Sequence, residues 1–318
     1  MAWPRMSGPD EFEAIARLFR PLTRGAPEAF GLLDDAAAIP ARPGHDLVIT
    51  KDAIVEGVHF PVGEAPDLVA RKLLRVNLSD LAAKGAEPYG YFLAVSWPAA
   101  WDAEARASFA RGLDEDGRAF GLLLLGGDTT STPGPMTASA TLLGWVPAGG
   151  MVLRSGAEPG DLVLVSGPIG DGLLGLAAAR GEIVDAALAE RYRLPEPRLD
   201  LREKLRGHAH AAADVSDGLI ADAGHIAEAS GVGITLGLES LPLSAGARNW
   251  LEQRPDRAAA LLRLASGGDD YQVVCTSAPA AAPELGMTVV GEVTAGAGVC
   301  VLFEGEPLDP GAGGWRHR

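Results

Sequence analysis

The sequence contains few cysteines and no long apolar run. Its two cysteines, Cys275 and Cys300, have no C-x-x-C spacing and lie in apolar, strand-like stretches, so we expect buried thiols in a reducing compartment. No segment of the sequence contains the run of about 18 apolar residues that a membrane span requires. The N-terminus lacks a basic flank followed by an apolar stretch. These absences predict a soluble, cytoplasmic protein.

Positive charge is also scarce. The chain carries 27 Lys and Arg against 42 Asp and Glu, a net charge of −15, which argues against nucleic acid or an anionic membrane as a partner. The P-loop pattern, H-E-x-x-H, G-x-S-x-G and a catalytic-cysteine signature are all missing from the sequence. This excludes P-loop NTPases, zinc proteases and the common hydrolases, so phosphate binding would need metal ions and another architecture.

Strand and helix patterns alternate along the chain, which favours an α+β or α/β protein of two domains. In the first half we predict the order β-α-β-α-β-β, with strands at 46–50, 89–97, 122–125 and 137–146 and helices at 66–83 and 102–120. In the second half we predict strands at 161–165, 234–238, 271–276, 288–293 and 299–303, helices at 170–180 and 217–229, and a Gly- and Pro-rich tail at 305–314. The turn-rich stretch 147–160 predicts a boundary that divides the chain into 1–148 and 149–318.

Five short acidic clusters are flanked by Gly, Ser or Asn or follow a strand: Asp34-Asp35, Asp52, Asn77 to Asp80, Gly126 to Thr129 and Asp214 to Asp217. Mg²⁺ prefers oxygen ligands and is usually shared between a few carboxylates and substrate phosphates. One such aspartate alone is more often an N-cap or a surface charge. Their repetition favours a metal-assisted phosphate site, although spacing alone leaves the two interpretations level.

Local context suggests how the first-half clusters would act. Asp52 ends a predicted strand, and Gly126-Gly127 forms a predicted turn that would bring backbone amides to a phosphate and present Asp128. Asp80 falls within a helix pattern, on a polar stripe with Asn77 and Lys84 that is usually the solvated side of a helix.

In the second half, Ser216 lies near the start of a predicted helix, where free amides suit an anion. Ser216 or Asp217 is equally explained as the N-cap of that helix, and both interpretations can hold together. Gly170 to Gly175 fits G-x-G-x-x-G, but the sequence that follows is helical and offers no strand ending in a ribose-binding acid, so we reject a nicotinamide or flavin site. His59 is a general base, a phosphate donor or, most commonly for a lone histidine, a half-buried side chain.

Taken in order, the motifs resemble those of the thiamine-monophosphate kinases, members of the superfamily that includes aminoimidazole ribonucleotide synthetase. The similarity runs along nearly the whole chain and is carried by LLDDAAAI, TKDAIVEGVHF, ARKLLRVNLSDLAAKGAEP, LLGGDTTSTPGP, LRSGAEPGDLVLVSGPIGD, ADVSDGLIADAGHIAEASGVG, SGGDDYQVV and the terminal GGW-R-H. VEGVHF, NLSDLAAKGA, GGDTT and DVSDGL are specific as a set.

The resemblance implies a two-domain aminoimidazole ribonucleotide synthetase-like fold. Residues 1–148 would bind ATP and Mg²⁺ and dimerise through their sheet, and residues 149–318 would form an α/β domain that completes the active site. The implied activity is ATP-dependent phosphorylation of thiamine monophosphate to thiamine diphosphate, the final step of thiamine diphosphate biosynthesis, by direct in-line transfer with several Mg²⁺ ions. A homodimer is expected.

The resemblance also implies roles for individual residues. The metal ligands would be Asp35, Thr50, Asp52, Asp80, Asp128, Asp214 and Asp217. Contacts to ATP would come from Gly127, Asp128, Arg154 and Ser216, and contacts to thiamine monophosphate from His59, Asp269 and Trp315. No residue is certain as a catalytic group, and Asp128 and Asp217 are the candidates.

Four positions depart from the family pattern. Leu33 replaces the usual glycine before the aspartate pair, and Lys51 stands where a threonine is common. Asp269 replaces a glutamate that is one methylene longer, and Gln272 replaces the usual glutamate after the tyrosine. These changes leave the metal count and the substrate grip open.

Two rival functions stay open. One is another ATP-using enzyme of the superfamily, such as a hydrogenase-maturation dehydratase or aminoimidazole ribonucleotide synthetase, and the other is a nucleotide-binding protein without turnover. VEGVHF, DVSDGL and Trp315 favour the kinase, and a terminal reactive cysteine of the dehydratase kind is not seen.

Overall fold

The computed structural model describes residues 11–311 and residue 314. These residues form two compact units. The first unit comprises the chain up to Pro43, Ile49–Asn77 and Pro88–Gly144, and the second comprises Gly44–Val48, Leu78–Glu87 and the chain from Trp145 onward. The predicted division at residue 148 stays a prediction.

The first unit contains a four-stranded sheet in the order β1-β4-β2-β3, with β2 and β3 parallel. Its elements are α1 (Glu11–Ala14), β1 (His45–Val55), α2 (Pro66–Ala83), β2 (Glu87–Pro98), α3 (Ala103–Phe120), β3 (Leu123–Thr132) and β4 (Thr137–Pro147). Short π and 3₁₀ turns at Ile15–Phe19, Arg20–Thr23 and Pro27–Leu32 lie between α1 and β1. β1, α2, β2 and β4 each have a few residues in the second unit. The predicted order β-α-β-α-β-β is confirmed.

Local chemistry explains the two long helices. α3 begins after Asp102, whose side chain accepts hydrogen bonds from the N–H groups of the second and third helical residues, and it ends at Gly121, which has the left-handed φ of +70°. In α2 the predicted apolar face is confirmed, since Leu74, Leu78 and Leu81 are fully buried. The prediction of a solvated polar stripe is wrong at Asn77, which is fully buried. Its side chain makes hydrogen bonds to backbone groups of Asp52 and Leu73.

The second unit contains a seven-stranded sheet in the order β11-β10-β7-β9-β5-β8-β6, in which β7 and β10 are parallel and the other neighbours antiparallel. Its strands are β5 (Leu162–Val165), β6 (Ala211–Asp214), β7 (Gly233–Gly237), β8 (Val273–Ser277), β9 (Thr288–Thr294), β10 (Gly298–Phe303) and β11 (Glu306–Leu308). Its helices are α4 (Asp171–Ala179), α5 (Ala186–Arg193), α6 (Arg202–His208), α7 (Leu219–Ser230), α8 (Ala245–Glu252), α9 (Arg257–Ala265) and α10 (Ala282–Leu285), with 3₁₀ turns at Leu199–Leu201 and Leu238–Ser240. The predicted α+β or α/β class is confirmed.

Two expectations for the second unit are wrong. The predicted tail contains β11, which pairs with β10 across the two-residue turn Glu304-Gly305, where both residues adopt the positive φ of a tight hairpin. Cys275 is buried as expected, but Cys300 is exposed. Successive residues of a strand point to opposite faces, and on β10 it is Val301, 1% exposed, that faces the core.

Among the helices in the described part of the chain, none combines the length and the apolar composition that crossing a membrane requires.

Candidate active site

The residues expected to form the site divide over the two units. The first unit holds Asp35, Thr50, Asp52, His59, Gly127 and Asp128, and the second holds Asp80, Arg154, Asp214, Ser216, Asp217 and Asp269. Trp315 lies outside the described residues. Each group is described within its own unit.

A cavity of about 580 Å³ in the first unit brings together two of the acidic clusters. Asp34, Asp35 and Asp128 line it beside Gly126 and Gly127. The remaining wall is mostly apolar and is formed by Phe12, Ile15, Phe19, Ala29, Leu32, Ala36, Ala37, Phe92, Leu93, Leu124, Leu125 and Thr129. An apolar cavity with a few convergent polar groups is the usual form of a small-molecule site.

Gly126 and Gly127 are not the predicted turn. β3 continues through them to Thr132, and they pair in parallel with Phe92 and Leu93 of β2. A Cβ on Gly127 would lie 2.0 Å from the carbonyl oxygen of Leu93, so glycine is required there by the close approach of two backbones. Asp128 therefore projects from a paired strand, which holds it more firmly than a loop would.

The segment before Asp34 explains the departure at Leu33. The left-handed residues are Phe30, Gly31 and Leu32, with φ of +47°, +62° and +57°, whereas Leu33 has φ of −109°. A φ of −109° suits any residue, so leucine at position 33 strains no backbone. The aspartate pair then folds locally, because the N–H of Asp35 donates to Asp34 Oδ1 at 2.8 Å.

Asp52 lies within β1 and not at a strand end, which corrects the expectation. Its N–H donates to Asn77 Oδ1 at 3.0 Å, and its carbonyl oxygen accepts from Ser139 Oγ at 3.0 Å. Alternation along a strand puts Thr50 and Asp52 on one face and Lys51 on the other. Lys51 is exposed, and its Nζ is 3.4 Å from Thr141 Oγ1, so the departure at this position falls on the opposite face from the two expected metal ligands.

The surroundings of His59 restrict its protonation. Nδ1 accepts a hydrogen bond from the N–H of Val55 at 3.1 Å. The carbonyl oxygen of His59 accepts from Lys72 Nζ at 3.0 Å, and Lys72 is 2% exposed. A neutral imidazole whose Nδ1 accepts must carry its proton on Nε2, so His59 is a hydrogen-bond donor at Nε2 and cannot act as a base through Nδ1 in this arrangement.

In the second unit, Asp80 and Asp214 lie near a partly buried lysine. Lys84 Nζ donates to the carbonyl oxygen of Ala212 at 2.7 Å, two residues before Asp214 at the end of β6. Burial, and next the charge of Arg154, lower the pKa of Lys84 to about 8, while Asp214 and Asp80 act in the opposite direction. Asp214 is 4% exposed. The charges of Arg154, Asp214 and Asp80 thus all act on the amino group of Lys84.

The loop carrying Asp269 is bonded to the loop carrying Ser216. The N–H of Asp269 donates to the carbonyl oxygen of Ser216 at 2.9 Å, and the N–H of Tyr271 donates to that of Val215 at 2.8 Å. Asp269 and Tyr271 both have positive φ, +67° and +48°. Tyr271 Oη donates to Asp269 Oδ1 at 2.9 Å, so a side chain that the sequence did not single out orients the expected substrate ligand.

Asp270 shows what the G-x-G-x-x-G segment does. Its carboxylate accepts from the N–H of Gly170 at 2.7 Å and from that of Gly172 at 2.8 Å. Burial is the main reason that the pKa of Asp270 lies well above its usual range. A Cβ on Gly172 would lie 2.3 Å from the backbone carbon of Asp269. The glycines therefore bind the carboxylate of Asp270 through their amides and allow its loop to pack closely. The next element after α4 is the helix α5, as predicted, and not a second strand.

Asp222 is a second residue that sequence reasoning missed. Its Oδ2 accepts from the N–H groups of Asp217 and Gly218, each at 3.1 Å. α7 begins at Leu219 with Gly218 as N-cap and no side-chain cap, so Ser216 and Asp217 are not the N-cap. Asp222 is 1% exposed, and burial, then the charge of Asp217, raise its pKa to about 7. An aspartate one turn into a helix that follows an acidic loop was the available signal.

The described donors suit Mg²⁺. Asp34, Asp35 and Asp128 line one cavity, and none of them makes an ion pair within the part of the chain that the structure describes. Negative charges that line one cavity without a basic partner favour the binding of a cation. Carboxylate oxygens are the ligands that Mg²⁺ prefers.

Comparison with known proteins gives consistent matches. Residues 33–146 match the N-terminal domain of AIR synthase related proteins, and residues 158–302 match the C-terminal domain. The chain is similar to the thiamine-monophosphate kinase of Caulobacter vibrioides, with 57% identity over 99% of this chain and 93% of that protein. Its fold is similar to the crystal structure of thiamine-monophosphate kinase from Stenotrophomonas maltophilia, with 36% identity, a TM-score of 0.80 and coverage of 93% and 97%. A solved structure of AaThiL complexed with AMPPCP and TMP matches with 31% identity, a TM-score of 0.79 and coverage of 91% and 96%.

Proposed function

The chain belongs to the thiamine-monophosphate kinase family, and from this we infer that it phosphorylates thiamine monophosphate to thiamine diphosphate with ATP. The protein is an enzyme, a phosphotransferase whose acceptor is itself a phosphate group. AMPPCP is an ATP analogue, so the complex of the similar AaThiL fits these two substrates.

The observation that carries this proposal is the cavity of the first unit. Its apolar lining suits a nucleoside, and its acidic lining comprises Asp34, Asp35 and Asp128 beside Gly127. We assign Gly127 and Asp128 to ATP, and Asp35, Thr50, Asp52 and Asp128 to Mg²⁺. Bound Mg²⁺ would neutralise the phosphate oxygens of both substrates, which is how a chain of net charge −15 can take two anions.

The second unit supplies the remaining assigned residues. Arg154 and Ser216 are assigned to ATP, and Asp80, Asp214 and Asp217 to Mg²⁺. Asp269 is assigned to thiamine monophosphate, held in place by the hydroxyl of Tyr271. Trp315 keeps its expected role as a flat surface for the thiamine ring.

Direct in-line transfer mainly requires that the protein position the two phosphates and neutralise their charge. A phosphate oxygen of thiamine monophosphate is already a competent nucleophile, so we assign no general base. His59 would donate Nε2–H to a phosphate oxygen of thiamine monophosphate. Asp128 and Asp217, the two candidates for a catalytic role, would bind metal and would not move a proton.

A product assay tests the proposal. The purified chain is given ATP and Mg²⁺ with thiamine monophosphate, free thiamine or an aminoimidazole precursor, side by side, and products are separated chromatographically. We expect thiamine diphosphate and ADP from the first substrate alone. Product from the aminoimidazole precursor would indicate a different enzyme of the superfamily, and ATP binding without any product would indicate a protein without turnover.

Asp128→Asn tests the acidic lining of the cavity. Because Asp128 is assigned as a metal ligand, we expect turnover to fall by about 100-fold or more. The melting temperature should not change, because the side chain is exposed. Glu284→Gln removes an exposed carboxylate of the second unit and is the matched control. Equal turnover of both variants would remove Asp128 from the metal ligands.

We also propose a cytoplasmic homodimer. Ile49 on edge strand β1, and Val58 and Val62 nearby in sequence, are 60%, 53% and 80% exposed, which leaves apolar surface in the first unit for a second copy to cover. The free thiol of Cys300 suits a reducing compartment. Light scattering of the wild-type protein should give twice the mass of one chain, and the Ile49→Lys variant should have a smaller mass. A wild-type mass equal to that of one chain would contradict the dimer.

A further inference from the structure

A group of three metal-ligating side chains at the start of α7 includes two that no role above explains. One ligand atom each from Asp217, Asp222 and His225 lies within 4.8 Å of the other two. Asp217 is among the residues assigned to Mg²⁺, whereas Asp222 and His225 are not. The three come together because Asp222 and His225 are three residues apart on one helix face, and because Asp222 Oδ2 accepts the N–H of Asp217.

Asp222 has a ligating atom left over. Its Oδ2 is used by the N–H groups of Asp217 and Gly218, each at 3.1 Å. Its Oδ1 is buried, since the whole residue is only 1% exposed, and this atom has no hydrogen-bond partner among the described residues. A buried carboxylate oxygen without a partner destabilises a folded protein, because the hydration it loses is not replaced. A role in holding the start of the helix explains Oδ2 but leaves Oδ1 and His225 unexplained.

We propose that Asp217, Asp222 and His225 form a binding site for a divalent transition-metal ion such as Mn²⁺. Two carboxylates and one imidazole are a donor set that such ions accept, whereas Mg²⁺ is usually bound through oxygen alone. The ligand atoms are close enough for small side-chain rotations to bring them to one ion at the usual metal–ligand distances of about 2.0–2.2 Å. His225 is exposed, so the ion has an entry path and open positions for water.

The site gives this part of the chain a preference among metals. The imidazole favours Mn²⁺ over Mg²⁺, while the remaining assigned ligands are oxygen donors and do not discriminate in this way. The inference rests on the proposed function only through Asp217, which it shares with the assigned Mg²⁺ ligands. Its test is therefore a binding measurement on the full chain without ATP or thiamine monophosphate.

The experiment titrates Mn²⁺ into the protein and follows the electron paramagnetic resonance signal of the free ion. We expect His225→Ala to weaken Mn²⁺ binding at one site by about tenfold or more. Mg²⁺ binding should change much less. His208→Ala removes a histidine from α6 and is the matched control. In the wild type, the spectrum of bound Mn²⁺ should also show coupling to the nitrogen of a coordinated imidazole, and His225→Ala should abolish that coupling.

Asp222→Asn is the second variant. Its amide oxygen can still accept the two N–H groups, so the start of α7 is kept while the carboxylate is lost, and circular dichroism checks the fold. If this variant unfolds, His225→Ala alone decides, because that side chain is exposed.

An unchanged Mn²⁺ isotherm in His225→Ala, or bound Mn²⁺ without nitrogen coupling in the wild type, would overturn the inference. Neither result depends on turnover. If His225→Ala weakens Mn²⁺ binding but the wild-type protein makes no thiamine diphosphate, the metal site is supported and only the proposed function is contradicted.

Discussion

Replacing Gly127 by alanine should damage the first unit through the backbone. The new Cβ would lie 2.0 Å from the carbonyl oxygen of Leu93 and 3.1 Å from its nitrogen, and both atoms belong to the backbone of the paired strand β2. A carbonyl oxygen fixed in a sheet has no rotamer to change. β3 must therefore move away from β2 at the position next to Asp128.

The size of the effect follows from that distance. An ordinary contact between a carbon and another heavy atom is about 3.5 Å, so the strands must separate locally by about 1.5 Å from their normal spacing of about 4.8 Å. Overpacking of this kind costs about 1–3 kcal/mol, and two ladder hydrogen bonds broken by the shift add about 0.5–1.5 kcal/mol each. The total is about 2–6 kcal/mol, which lowers the melting temperature by about 4 °C or more in a protein of this size.

Gly126→Ala is the matched control. Its Cβ would meet only ring atoms of Phe92, at 3.1 Å, and a side chain can move aside. Thermal unfolding of both variants, followed by circular dichroism, should show a large fall for Gly127→Ala and a small one for Gly126→Ala. If the two variants melt within about 1 °C of each other, the reasoning from backbone contact is wrong.

Three further predictions concern other parts of the chain. Asp116→Ala should cost about 3–5 kcal/mol in urea unfolding, because two arginines donate to this fully buried carboxylate and one of them would stay buried without it; a loss below about 1 kcal/mol would contradict the structure. Ellman's reagent at pH 8 should react with Cys300 alone in the folded protein and with both thiols in guanidinium, since burial raises the pKa of Cys275 to about 12; two rapidly reacting thiols in the native state would refute this. Tyr271→Phe removes the hydroxyl that holds Asp269, so KM for thiamine monophosphate should rise about fivefold to tenfold with KM for ATP unchanged; an equal rise in both would indicate a general loss of fold.

Periodicity was sufficient to predict the long elements. α2 has the predicted bounds of Pro66–Ala83, because its leucine face and the surrounding turn residues agree. Ordered motifs were sufficient for the family, since several short matches at consistent positions are far more specific than any one of them. Both signals are local patterns that a sequence displays without knowledge of pairing.

The errors arose where a residue's role depends on a distant partner. Gly127 has the sequence of a turn, but it is the neighbouring backbone of Leu93 that requires glycine there. Gly170 and Gly172 follow a nucleotide-binding pattern, yet their amides bind Asp270, about 100 residues later in the chain. Asp222 and Tyr271 carry no motif of their own. Their importance comes from hydrogen bonds, since Asp222 accepts from the N–H groups of Asp217 and Gly218 and Tyr271 donates to Asp269.

The assignment of Leu78–Glu87 to the second unit has a consequence for synthesis on the ribosome. Lys84 donates to the carbonyl oxygen of Ala212, 128 residues later in the chain. At a translation rate of about 5–20 residues per second, the end of α2 waits about 6–25 s for that partner. During this interval Ala83, fully buried in the finished protein, lacks Leu164, Ala212 and other later residues that form one buried cluster with it. A chaperone that shields this segment on the nascent chain should therefore raise the yield of folded protein.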